Sequence, residues 1–131
     1  MKHKFRIHKQ TIIVKAKIKG ANDAKEKGIN FILDTGATKT IISESAVINL
    51  GYDLKQLNMG YRLMTASGIL WSKSLKLPKF SLFGKDVENF EVNVLKMTPE
   101  LTYFAHGLIG MDFLLQFKNI KFDFEKNIIE T

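Results

Sequence analysis

Asp34 stands at the end of the β-forming run Phe31-Ile32-Leu33 and opens the turn Asp34-Thr35-Gly36-Ala37, with no counter-charge following locally. A carboxylate carried by a strand onto a turn can activate water as a general base, but attack on an amide also needs an acid for the carbonyl oxygen or the leaving nitrogen. Two carboxylates about 3 Å apart cannot both ionise, so they share one proton and supply base and acid together. The remaining aspartates, Asp23, Asp53, Asp86, Asp112 and Asp123, include no second Asp-Thr/Ser-Gly turn. A homodimer is the symmetric solution, because a two-fold axis brings a residue near its own copy.

Other chemistries find less support. The chain has no cysteine, which excludes disulfides, thiol catalysis and cysteine-ligated metals. His3, His8 and His106 show no metal-ligand spacing, so neither a metal nor a cofactor is expected. No Gly-rich phosphate loop precedes a long helix, and no Ser/His/Asp arrangement is recognisable. The net charge of +7 is local: residues 1–19 hold seven Lys/Arg and no acid, whereas the rest carries 13 charges of each sign. That segment reads as an exposed strand kept soluble by lysines, with an acidic partner or a nucleic acid as the other readings.

The elements that position Asp34 are mostly short strands. With 131 residues, 45% apolar and 25% charged, the chain suits one compact domain over residues 1–131. No apolar run reaches the ~18 residues of a membrane span, and no signal peptide is read, which makes the cytoplasm the default location. Phe5 and Ile7 alternate with basic residues, and so do Ile12, Val14, Ala16 and Ile18, but the apolar parity changes between His8 and Thr11, which demands a turn or bulge. Residues 29–33 are apolar on both faces and predict a central strand. Residues 40–42 are β-branched and extended; Ser43 then caps a helix from 44 to about 50, with Gly51 beyond its end. Residues 59–95 read as an antiparallel meander interrupted near Ala66-Ser67-Gly68, Pro78 and Phe83-Gly84. Residues 97–106 predict a loop around Pro99, 112–117 a short helix, and 120–130 a final hairpin. Many short strands and two short helices suggest a closed or partly closed β-barrel.

The run Phe31-Ile32-Leu33-Asp34-Thr35-Gly36-Ala37, paired with the later Gly107-Leu108-Ile109-Gly110, resembles the retropepsin-like aspartic proteases over roughly residues 12–129. The resemblance implies a mostly β acid-protease barrel with a flap hairpin, assembled as a homodimer, and an aspartic endopeptidase acting on protein or peptide without a cofactor. It implies that Asp34 is catalytic, that the Thr35 side chain bonds across the dimer axis, and that Gly36 allows close approach beside Ala37. Leu108, Ile109 and Gly110 would support the loop from behind. The flap would span about residues 62–73, with Thr65, Ala66, Ser67 and Gly68 at its tip and Trp71 on the returning strand. Trp71 and Tyr61 read as peptide contacts or as packing, and Phe113, Phe117, Phe122 and Phe124 as core or dimer interface. His106 lines a substrate subsite or faces solvent.

Two departures from the retroviral pattern stand out. Where retroviral enzymes carry an Asp after the motif and an Arg after the later glycine, this chain has Thr38 and Met111. Both partners of that ion pair are missing together, which points to a bacterial or cellular relative. Asp112 is then expected to cap the following helix. The alternative to catalysis is a non-catalytic member of the fold that binds peptides or serves as a dimerisation module.

Overall fold

The computed structural model describes residues 1–22, 25–66 and 68–131, the side chains of Tyr61, Leu63 and Thr65 excepted. Asp23 and Ser67 therefore lie outside the described residues. The large sheet contains β2 (Arg6–His8), β3 (Thr11–Lys19), β4 (Lys27–Leu33), β5 (Ile41–Ser43), β6 (Asn58–Thr65), β7 (Gly68–Leu82), β8 (Lys85–Leu95) and β9 (Gly107–Ile109). Its strand order is β2-β3-β4-β9-β5-β8-β7-β6, and a further β3–β7 pairing through Ile18↔Phe80 closes six of these strands into a barrel. A small second sheet joins β1 (Lys2–Lys4) to the terminal hairpin of β10 (Lys121–Asp123) and β11 (Ile128–Glu130), in the order β1-β11-β10.

The barrel interior is filled by the apolar members of these strands. Phe31, Phe80 and Phe113 are fully enclosed, and Phe80 lies 5.6, 5.1 and 5.2 Å from Phe31, Phe90 and Phe113 in tilted or edge-on contacts. Each such ring removes some 150–250 Å² from water, which makes this cluster the main cohesive element of the fold. Helix α1 (Glu44–Asn49) packs Ala46 and Val47 inward, and Ser43 caps it by accepting the Ala46 N–H through Oγ at 3.1 Å. Gly51, at φ +95°, follows its end.

The parity change near the N-terminus is a two-residue hairpin: His8 pairs with Thr11, and Lys9 and Gln10 both take positive φ. The expectation that Phe5 and Ile7 share a face is overturned, since Phe5 is 5% exposed and Ile7 50%. At Phe5 the chain passes from the small sheet to the large one, its N–H donating to the Asn127 carbonyl, so alternation does not carry across it. Pro78 does not interrupt the meander. β7 runs through it: the ladder skips one pair between Leu77↔Phe90 and Lys79↔Glu88 and resumes in the same register, with Asn89, at φ 51°, opposite the proline that has no N–H to give. The loop around Pro99 contains a short helix, α2 (Pro99–Thr102), started by proline in its first turn, where no N–H is required. With α3 (Met111–Leu114), the described residues hold three short helices instead of two, plus a 3-10 turn at Leu54–Gln56. Parallel pairings β4–β9 and β5–β8 also occur, which local alternation could not reveal.

Candidate active site

Asp34 leaves β4 where two constraints meet. β9 lies between β4 and β5, parallel to the first through Ile32↔Leu108 and antiparallel to the second through Ile41↔Leu108. Residues 34–40 must therefore step across two inter-strand spacings, roughly 10 Å, over the end of β9. The outgoing chain of β9 passes directly beneath them. A Cβ on Gly110 would stand 2.7 Å from the Lys39 carbonyl oxygen and 2.9 Å from that of Ala37, and one on Gly107 would stand 2.0 Å from the Ile41 oxygen. Only glycine fits at either end of Gly107-Leu108-Ile109-Gly110.

Hydrogen bonds lock this crossing. The Asp34 N–H donates to the Ile109 carbonyl at 3.0 Å, Met111 N–H to Ala37 O at 2.8 Å, and Asp112 N–H to Thr38 O at 3.2 Å. Within the turn, Ala37 N–H donates to Asp34 O at 3.2 Å and Gly36 N–H to Asp34 Oδ1 at 2.8 Å. The carboxylate is thereby oriented by backbone while its second oxygen has no partner among the described residues. Thr35 is exposed, and its hydroxyl likewise has no partner there.

The N-cap of α3 is Gly110, and Asp112 stands inside the first turn, where it does more than complement the helix end. It accepts the Phe113 N–H of its own helix at 2.9 Å, as expected of an acid in the first turn. It also accepts the Thr40 N–H at 3.0 Å and the Thr40 hydroxyl at 2.7 Å, and that hydroxyl accepts the Gly110 N–H at 3.1 Å. Thr40 is fully buried, so this clamp ties the far end of the Asp34 loop to the β9–α3 corner. The sequence reading missed Thr40. Its hydroxyl sits 72 residues from its carboxylate partner, and no local pattern joins them.

The other expected site residues are distributed as follows. Leu108 and Ile109 lie beneath the loop in β9. The hairpin of β6 and β7 closes at the pair Thr65↔Gly68, with Ala66 exposed between them and Trp71 opposite Arg62 on the returning strand, the guanidinium 5.9 Å from the indole. His106 is tied to the start of α1: its Nδ1 lies 2.9 Å from Ser43 Oγ, its carbonyl accepts the Ser43 N–H, and its own N–H donates to Asn30 O. Neither of the two readings offered for it, subsite or open solvent, described that role. Among the described residues no group of His, Asp and Glu could hold a metal ion, and no helix is long and apolar enough to cross a membrane.

A closed barrel with a glycine-bounded strand threaded under an Asp-Thr-Gly-Ala turn is the architecture of a retropepsin-like acid protease, and solved structures agree. The chain is similar to a retropepsin-like aspartic protease from Rickettsia conorii, with a TM-score of 0.72 and 24% identity over 98% of this chain and 88% of that one. It is also similar to the EIAV protease complexed with the inhibitor HBY-793, with a TM-score of 0.62 and 18% identity over 82% and 88% of the two chains. The family model described as aspartyl protease matches residues 14–113, and the chain belongs to that family. No curated protein matches it significantly.

Proposed function

We propose that the protein is a homodimeric aspartic endopeptidase in which Asp34 of each subunit supplies half of the site. The observation that carries this reading is the division of labour among the aspartates. Asp53 caps the 3-10 turn, Asp86 pairs with Lys79 at 3.7 Å, Asp112 holds Thr40, and Asp123 accepts two N–H groups of the final turn. Asp34 alone of the described aspartates stands on the crossing over β9, with one carboxylate oxygen held by the Gly36 N–H and the other without a partner among the described residues, and the chain holds no second Asp-Thr/Ser-Gly turn. A two-fold axis beside the turn supplies one. The exposed, unpartnered Thr35 hydroxyl is then available to bond across the axis, and Gly36 keeps the approach open.

In the reaction, one carboxylate is ionised and the other protonated. The ionised group takes a proton from water as the water oxygen bonds to the peptide carbonyl carbon, and the other group gives its proton to the carbonyl oxygen. Collapse of the tetrahedral species returns a proton to the carboxyl pair and delivers one to nitrogen as the C–N bond breaks. The products are a carboxylic acid and an amine. The hairpin of β6 and β7, with its small Ala66 and Gly68, closes over the peptide and excludes water.

Asp34→Asn is expected to keep the dimer, checked by solution mass and circular dichroism, and to lower cleavage by at least about 10²–10⁴-fold. Equal cleavage by parent and variant would overturn the assignment. A parent that binds peptides but cleaves none supports the non-catalytic peptide-binding reading instead.

A further inference from the structure

The row of cross-strand partners Arg6↔Ile13, Ile13↔Ile32 and Ile32↔Leu108 places Arg6 on the same sheet face as Ile32, two residues before Asp34. At about 4.8 Å between strands and 3.4 Å along them, Arg6 Cα stands roughly 12 Å from the Asp34 backbone, the span of three or four residues of an extended peptide. Two adjoining grooves meet there, sharing Arg6, Ile13 and Asn30. One, of about 340 Å³, is walled by Tyr103 and Phe104, the latter held against β2 by His8 at 4.4 Å between rings. The other, of about 490 Å³, is rimmed by Lys4 and Lys15. Both fall in the size range of about 300–1,000 Å³ seen for ligand sites.

Charge distinguishes this place from the rest of the basic segment. Among the described residues no carboxylate lines either groove, and Lys4, Arg6 and Lys15 have no ion-pair partner. The neighbouring groove farther along β3 also has lysines, but two carboxylates line it, and Lys79 bridges Glu26 at 3.2 Å and Asp86 at 3.7 Å. Ile13, 3% exposed, lies between strands in the floor, so the three exposed cations surround an apolar base. An apolar floor with one sign of charge on its rim concentrates the field on a ligand of the opposite sign.

We propose that this groove is a specificity subsite for an acidic side chain three or four residues from the scissile bond of a peptide substrate, the aromatic end taking an apolar neighbour. The inference rests on the proteolytic reading for the meaning of that spacing, but the charge selection is independent of it.

The test is a proteome-derived peptide library digested at low ionic strength, with cleavage sites read by mass spectrometry. Asp and Glu are expected to be enriched over Asn and Gln at one of those positions, roughly fivefold for each well-formed exposed ion pair. In Arg6→Gln/Lys15→Gln the enrichment should collapse to about onefold, and 0.5 M salt should weaken it in the parent, since screening acts on exposed charges. No enrichment in the parent, or the same enrichment in the variant, overturns the proposal. Should the parent cleave nothing, proteolysis fails by itself, and binding still decides the groove: fluorescein-labelled Glu-Glu-Leu-Phe must bind the parent more tightly than Gln-Gln-Leu-Phe, and equal binding overturns it. Tighter binding of a random-sequence oligonucleotide than of the Glu peptide assigns the surface to nucleic acid and overturns it too.

Discussion

Residues 34–40 and the hairpin of β6 and β7 are both expected parts of one site, yet the chain treats them in opposite ways. The first is held from below by β9 and α3 through backbone bonds and the buried Thr40–Asp112 pair. The second leaves Met64 89%, Ile69 55%, Leu70 49% and Trp71 64% exposed, and burial resumes only at Ser72. An isolated two-stranded ribbon is marginally stable in water, so apolar groups on both its faces await partners outside the described chain. Under the proposed function, the loop of Asp34 is the part fixed before substrate arrives, and the hairpin is the part that substrate or a second copy completes.

That contrast can be broken by substitution. The largest effect is expected at Gly107→Ala, where the added Cβ meets the Ile41 oxygen at 2.0 Å and Phe31 at 2.7 Å. Overpacking of this kind costs about 1–3 kcal/mol or more, and here backbone must move, so thermal or urea denaturation should show severe destabilisation. Thr40→Val comes next. It preserves shape but strips the carboxylate of Asp112 and the N–H of Gly110 of a partner, with an expected loss of about 2–3 kcal/mol in urea melts. Cleavage should fall further than stability explains, because the loop under Asp34 loses its anchor.

Trp71→Ala tests the other side. Its stability change is expected within about 0.5 kcal/mol, as for exposed positions generally. Its kcat/KM, by contrast, should fall by roughly tenfold, the equivalent of about 1.4 kcal/mol of lost contact with bound peptide. Trp71→Ala melting as early as Thr40→Val would show that the hairpin belongs to the core, and the contrast would fail. Unchanged kcat/KM would remove the hairpin from the site.

Legibility in the sequence followed the range of the interactions. The capped helix after Ser43, the turn between His8 and Thr11 and the final hairpin were readable because their signals are local: a hydroxyl before an acidic first turn, a parity change, and a polar break between β-branched runs. The continuity of β7 through Pro78 was not, because the pairs that carry it past the proline, Leu77↔Phe90 and Lys79↔Glu88, are made with another strand. The contact of His106 with Ser43 was not legible either, because only the fold brings together two residues 63 apart in the chain.

By itself the sequence determined that a lone Asp-Thr-Gly-Ala turn follows an apolar strand, that Gly107-Leu108-Ile109-Gly110 accompanies it, and that no second such turn exists in the chain. These are facts of residue type and short spacing, and they set the chemistry in question. Only the tertiary structure decided that β9 threads between β4 and β5, that Thr40 and Asp112 clamp the crossing, and that Arg6, Lys4 and Lys15 meet on one rim. The reason is physical. Strand order and close approach arise from contacts far apart in the chain, and their energies depend on which surfaces are brought together, a quantity that no local pattern of residues contains.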